Sequence, residues 1–169
     1  MGKRFEILVC RFLTEWWAGE SAQKRRADDL PFRRTPCSGG WTRRHTDGHG
    51  DIIPEKSQRF PFIIEAKHRK SWSWDQLVEG KNPELEKYWG QAAESSERTK
   101  KKSWPMLVFA QRSTKIYVRI PRDMWLGIRK DCPELGKPLV QVREGVYWRW
   151  QHFLKTVSPA AVKSYTSKA

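Results

Sequence analysis

No run of this sequence approaches the roughly 18 apolar residues that a membrane-spanning helix needs. The opening Met1-Gly2-Lys3-Arg4 resembles the charged start of a secretory signal, but Glu6 and Arg11 interrupt the apolar stretch behind it, so no cleaved signal is expected. Cysteine is scarce. Cys10, Cys37 and Cys132 are irregularly spaced and form no C-x-x-C, which argues against a disulfide framework and for a reducing, cytoplasmic setting. Acidic residues are also few: 19 Asp and Glu face 33 Lys and Arg, a net charge of +14. With 38% hydrophobic and 12% aromatic residues, the chain is not a disordered polycation. A folded domain this basic suggests a polyanionic partner. No basic amphipathic helix stands out, which disfavours a membrane surface. The 169 residues suit one domain, and chains of this size bury about 70% of their extended surface.

Periodicity sketches the elements. Phe5, Leu8, Val9, Phe12, Leu13 and Trp16 fall on one face of a helix over residues 2–18. A short strand is expected at Phe32–Thr35, then a long loop over 36–50 with Pro36, Gly39, Gly40, Gly48 and Gly50. Asp51–Ile53 and Phe62–Lys67 read as a hairpin pair. Residues 68–81 are basic and Trp-bearing, without a clear period. Asn82-Pro83 caps and opens a helix running to about Thr99. Strands follow at Met106–Ala110 and Ile116–Ile120, a short helix at Asp123–Arg129, and a hairpin of Leu139–Val142 with Val146–Trp150. The last ten residues, rich in Ser, Lys and Ala, are expected to fray. This order predicts an α/β or α+β domain, a mixed sheet flanked by helices.

In the strand Phe62–Lys67, alternation puts Ile63, Glu65 and Lys67 on one face and Ile64 and Ala66 on the other. An E-x-K pair in an apolar strand is costly to bury; a strand running out to solvent would explain it without function. The hairpin, however, brings Asp51 beside Glu65. Two carboxylates and a lysine then converge at one end of the sheet, a set suited to metal-dependent phosphodiester hydrolysis. A hard divalent cation, Mg²⁺ with Mn²⁺ as a substitute, takes oxygen ligands and keeps several waters. Asp51, Glu65 and the Ala66 carbonyl supply such oxygens. The metal would acidify a bound water and stabilise charge on the phosphate, and Lys67 would orient the water or neutralise the phosphate.

These residues resemble the bipartite motif of the PD-(D/E)XK nuclease superfamily: Gly50-Asp51, then Ile63-Ile64-Glu65-Ala66-Lys67. More narrowly, residues 2–120 resemble the archaeal-type Holliday junction resolvases. The shared features are a G-x-x-x-E helix start (Gly2 to Glu6), a Ser-Gly loop (Ser38-Gly39), a D-I-I strand and an I-E-x-K strand. The resemblance implies a restriction-endonuclease-like core over residues 1–120, with 121–169 as a C-terminal, β-rich extension packed on the same domain. It implies a symmetric homodimer on a four-way DNA junction, in a prokaryotic or phage-infected cell. It places Glu6 in the metal site, directly or through water, Ser38 near the scissile phosphate, and Gln91 as a supporting polar residue on the helix after the motif. Residue 50 is Gly where the superfamily has Pro, which reads as a tolerated change. The rivals are a restriction-like or repair nuclease on duplex or flap DNA, and a non-enzymatic DNA-binding protein with a structural acidic cluster.

Arg33, Arg34, Arg43, Arg44 and Lys70 are candidate DNA contacts. Trp72 and Trp74, among Arg69, Lys70 and Lys81, could stack on exposed bases or form a local cluster or dimer contact. Cys37, His45, Asp47 and His49 share one loop, but without a second cysteine a mobile DNA-contacting loop is favoured over zinc. His68 should turn away from the E-x-K face to the surface, Cys10 should be core, and Trp148 and Trp150 should pack in the core or an interface.

Overall fold

The computed structural model describes residues 2–35, 50–69, 73–99, 102–111 and 115–168. The first helix, α1 (Gly2–Leu13), buries Phe5, Val9, Cys10 and Leu13 along one stripe and ends in a π-helical turn, Thr14–Ala18. Strands β1 (Phe32–Arg34), β2 (Ile52–Pro54) and β3 (Phe62–Arg69) follow. Helices α2 (Trp74–Val78) and α3 (Pro83–Glu97) lead to β4 (Trp104–Gln111) and β5 (Lys115–Pro121). The chain closes with α4 (Arg122–Ile128), β6 (Val140–Gln141), β7 (Gly145–Arg149), α5 (Trp150–Thr156) and α6 (Pro159–Lys168).

The strands form one seven-stranded sheet in the order β1-β2-β3-β4-β5-β7-β6. Neighbours are antiparallel except β3 and β4, which run parallel from Phe62↔Trp104 to Arg69↔Gln111. A parallel pair requires a crossover connection, here the segment carrying α3. That helix starts as its sequence dictates: the Asn82 side chain accepts a hydrogen bond from the Leu85 N–H at 3.1 Å, and Pro83 occupies the first turn. Helices cover both faces, so β4 reads as a near-continuous apolar run. Met106, Val108 and Ala110 pack with α1 and the C-terminal helices; Leu107 and Phe109 pack under α3. The result is the mixed α/β sheet expected of a restriction-endonuclease-like fold.

Residues 121–168 continue this sheet with β7 paired to β5, and add α4, α5 and α6. Two expectations are corrected there. Trp150 opens α5 instead of closing a strand, although Trp148 and Trp150 are both buried core. Residues Pro159–Lys168 form helix α6, where a loose tail was expected. Ala161 and Val162 are buried, Tyr165 lies 6.0 Å from the Trp104 ring and against Gly127, and Lys163 sits over the Trp17 ring at 4.8 Å. Polar composition hid it because a few apolar contacts suffice to dock a short helix.

Beneath α3, Arg119 is fully buried on β5. Its guanidinium lies 4.2 Å from the Trp89 ring centroid and 5.2 Å from that of Tyr147, and it donates to Glu86 at 2.6 Å and to the Tyr147 hydroxyl at 2.9 Å. Gly145 makes the room, since a Cβ there would stand 2.5 Å from the Arg119 Nε. Burial pushes the Tyr147 phenol up to about 12, so it stays a neutral hydrogen-bond partner. Arg119→Ala should lower stability by about 2–4 kcal/mol, through poorer packing between two aromatic rings and a broken ion pair. Thermal unfolding checks this; a melting temperature unchanged from wild type would show that α3 is held by its other contacts.

Candidate active site

The site is assembled where β1, β2 and β3 meet. Gly50 adopts φ +91° and turns the chain into β2. The next residue, Asp51, is fixed by its backbone: its N–H donates to the Ile64 carbonyl at 2.7 Å and its carbonyl accepts from the Thr35 N–H at 2.9 Å. The Thr35 hydroxyl also donates to the Gly50 carbonyl at 2.7 Å. The Asp51 carboxylate therefore points at β3. Its Oδ2 accepts from the Ala66 N–H at 2.9 Å and lies 3.0 Å from the Lys67 Nζ. The same ammonium lies 2.5 Å from the Glu65 Oε1. Asp51 and Glu65 are buried, and Lys67 bridges them.

Two carboxylates sharing one ammonium leave excess negative charge. Burial and the Asp51 charge raise the Glu65 pKa above the ordinary glutamate range, with Lys67 opposing. Burial acts to lower the Lys67 pKa, but Glu65 and Asp51 outweigh it and the net direction is up. The lysine is therefore held as a cation. Glu6, from α1, is close enough that its charge adds to the upward pressure on Glu65. Its own carboxylate pairs with the Arg34 Nε at 2.5 Å. Among the described residues, no three Asp, Glu, His or Cys side chains are gathered as a metal cluster. The donor set nonetheless suits a hard cation: Asp51 and Glu65 are oxygen donors in a net-negative, buried setting. The Ala66 carbonyl shares the side of its strand on which the Ala66 N–H meets Asp51, since the N–H and C=O of one extended residue point the same way. A site with few protein oxygens keeps the waters that Mg²⁺ retains.

The other sequence candidates are distributed as follows. Arg34 faces Glu6, and Arg33 pairs with Glu55 at 3.2 Å on the surface. Gln91 is exposed on α3, about one turn beyond Tyr88. His68 does turn away from Glu65 and Lys67, but it is half-buried with its ring 5.6 Å from Phe5, because α1 covers that face. Cys10 is core, its thiol pushed up to about 12 by burial and by Glu6. Ser38, Arg43, Arg44, Lys70 and Trp72 lie outside the described residues, as do Cys37, His45, Asp47 and His49.

Two features were missed in the sequence. Tyr88, buried on α3, presents its ring to Lys67, whose Nζ lies 5.3 Å from the centroid. Asn82-Pro83 and the apolar spacing locate the helix, but nothing local shows which of its aromatics meets the E-x-K face. The second is Gly50. Its Cβ would stand 2.6 Å from the Ile64 carbonyl oxygen, and its φ is far from the −65° that proline imposes. Glycine in place of the superfamily's proline is thus a requirement of this backbone, where the sequence suggested a tolerated exchange.

A mixed sheet carrying an aspartate at the head of one strand and E-x-K on the next defines a nuclease core of the PD-(D/E)XK class. A family model described as "Phage putative PDDEXK endonuclease" matches residues 1–153, and the chain belongs to this family. Comparison with curated proteins and with solved structures finds no match. No helix among the described residues is long and apolar enough to cross a membrane.

Proposed function

We propose that this protein is a Mg²⁺-dependent, structure-selective DNA endonuclease that resolves four-way junctions by paired nicks, acting as a homodimer in the cytoplasm of a prokaryotic or phage-infected cell. The observation that carries the hydrolytic part is the buried Asp51–Lys67–Glu65 cluster, with its unbalanced negative charge, on a chain of net charge +14. An architectural DNA-binding protein gains nothing from two carboxylates facing a phosphate without a metal. Junction selectivity is supported by the G-x-x-x-E start at Gly2–Glu6 and the Ser38-Gly39 pair, and dimerisation by the near two-fold symmetry of a junction.

Asp51, Glu65 and the Ala66 carbonyl would hold the metal, which when bound supplies an acidified water and charge stabilisation at the phosphate. Asp51 is oriented for this by the Ala66 N–H. Lys67, kept protonated, offers a cation to the phosphate as charge develops on it. Arg34 restrains Glu6.

Incubating the protein with a labelled four-way junction and with the matching duplex tests the reading. Symmetric nicks in the junction alone are expected. Duplex or flap cutting would move the activity to a restriction-like or repair nuclease with the same site. The metal requirement gives a separate prediction. Excess EDTA should abolish cleavage, Mn²⁺ should restore it, and Ca²⁺ should support binding without efficient cutting, because its looser geometry polarises water less. Undiminished cleavage in EDTA would sink the metal mechanism, and activity with Zn²⁺ alone would shift attention to Cys37, His45 and His49.

A further inference from the structure

Alternation along β3 places a third charged residue on the face of Glu65 and Lys67. Arg69 lies two residues beyond Lys67, about 7 Å further along the strand, and its side chain is half exposed. It is held firmly for a surface arginine. One terminal amine donates to the Tyr88 hydroxyl, and Nε lies 3.3 Å from a Glu84 carboxylate oxygen. The guanidinium carbon stands 5.5 Å from the centroid of the same Tyr88 ring that carries Lys67. Two cations from neighbouring same-face positions of one strand thus lie within 5.5 Å of one buried ring. Such an arrangement is repulsive unless an anion is shared. Lys67 has the two carboxylates. Arg69 has Glu84, an exposed pair of small worth in water, which leaves its charge poorly compensated.

The backbone spacing of the two residues, about 7 Å, is of the order of one nucleotide step along a nucleic-acid strand, and a guanidinium fork matches a phosphate. We propose that Arg69, held on the Tyr88 ring beside Lys67, grips the phosphate adjacent to the one that is cut. This deepens the nuclease reading and rests on it. Arg69 is then a substrate-binding residue, and Tyr88 a positioning residue that sets the distance between the two cations.

The test is binding of a labelled junction and a labelled duplex across a salt series, in EDTA and on an Asp51→Asn background, so that no cutting intervenes. Arg69→Ala should reduce the slope of log K against log salt by about 0.9 for each phosphate that is no longer neutralised, which is about eightfold in affinity near 0.1 M salt. Arg69→Lys should keep most of the slope, since it keeps the charge. Lys155→Ala, on α5 across the sheet, controls for net charge and should leave the slope unchanged. An unchanged slope in Arg69→Ala overturns the proposal, with or without a lower melting temperature; a lower melting temperature alone would mean that Arg69 only fastens α3. A scan of single neutral methylphosphonates fixes the position: the substitution that weakens wild type but not Arg69→Ala must adjoin the mapped cut, and any other position overturns the assignment. Failure of the nuclease reading shows separately, as wild type that cuts no DNA with Mg²⁺ or Mn²⁺.

Discussion

Asp51→Asn and Glu65→Gln should each reduce cleavage by about 10²-fold or more, the scale on which removal of a group stabilising transition-state charge is felt, while DNA binding stays within a few-fold of wild type. Each change removes an anionic ligand and almost no volume. The two should part company in stability. Asp51 uses one oxygen for both the Ala66 N–H and the Lys67 ammonium. An asparagine oxygen can still accept from these donors but lacks the charge that held the ammonium, so Asp51→Asn should lower the melting temperature. Glu65 is different. Its folded pKa is raised by burial and by Asp51, so ionising it opposes folding. The sign follows from linkage: stability present below the unfolded-state pKa is lost as pH rises through the raised folded value. Above that value the loss is complete, and there Glu65→Gln should unfold no earlier than wild type. A variant more stable and inactive is the signature of a site held under electrostatic strain for function. Cleavage assays paired with gel shifts and thermal melts separate these outcomes; wild-type-like cutting by either variant removes that residue from the site.

What could be read in the sequence was local. Alternation in Phe62–Lys67 placed Glu65 and Lys67 on one face, the stripe from Phe5 to Leu13 marked α1, and Asn82-Pro83 fixed the start of α3. Each signal is carried by neighbouring residues. The missed features depend on partners remote in the chain. Arg34 meets Glu6 across 28 positions, Arg119 meets Glu86 across 33, and the Trp16 indole reaches the Val157 carbonyl across 141. Composition counts Arg34 and Arg119 only as basic residues; the fold pairs Arg34 with Glu6 and encloses Arg119 between aromatic rings. The pairing of β5 with β7 joins strands separated by a helix and a loop, which no periodicity announces.

Gly50 provides the second large effect, and it links backbone conformation directly to catalysis. At φ +91° an L side chain is strained by about 1–3 kcal/mol. Here the strain is compounded, because a Cβ would stand 2.6 Å from the Ile64 carbonyl oxygen and 3.1 Å from the Ile64 nitrogen. The Ile64 carbonyl is the acceptor for the Asp51 N–H. Relieving the clash must therefore push apart the hydrogen bond that aims Asp51 at Ala66 and Lys67. Gly50→Ala should destabilise the fold by about 2–4 kcal/mol and cut activity well beyond that, since a misplacement of about 1 Å in a reacting group costs on the order of 10²-fold. Gly50→Pro, which would restore the superfamily's residue, should be worse, because proline cannot reach positive φ. Gly19 is the control: its φ is +68°, but nothing lies within 4 Å of its added Cβ, so Gly19→Ala carries backbone strain without displacing any group. Measured at a temperature where both variants are folded, Gly50→Ala should be nearly inactive and Gly19→Ala close to wild type. Equal activities would mean that Asp51 is held by Thr35 and β3 regardless of the turn before it.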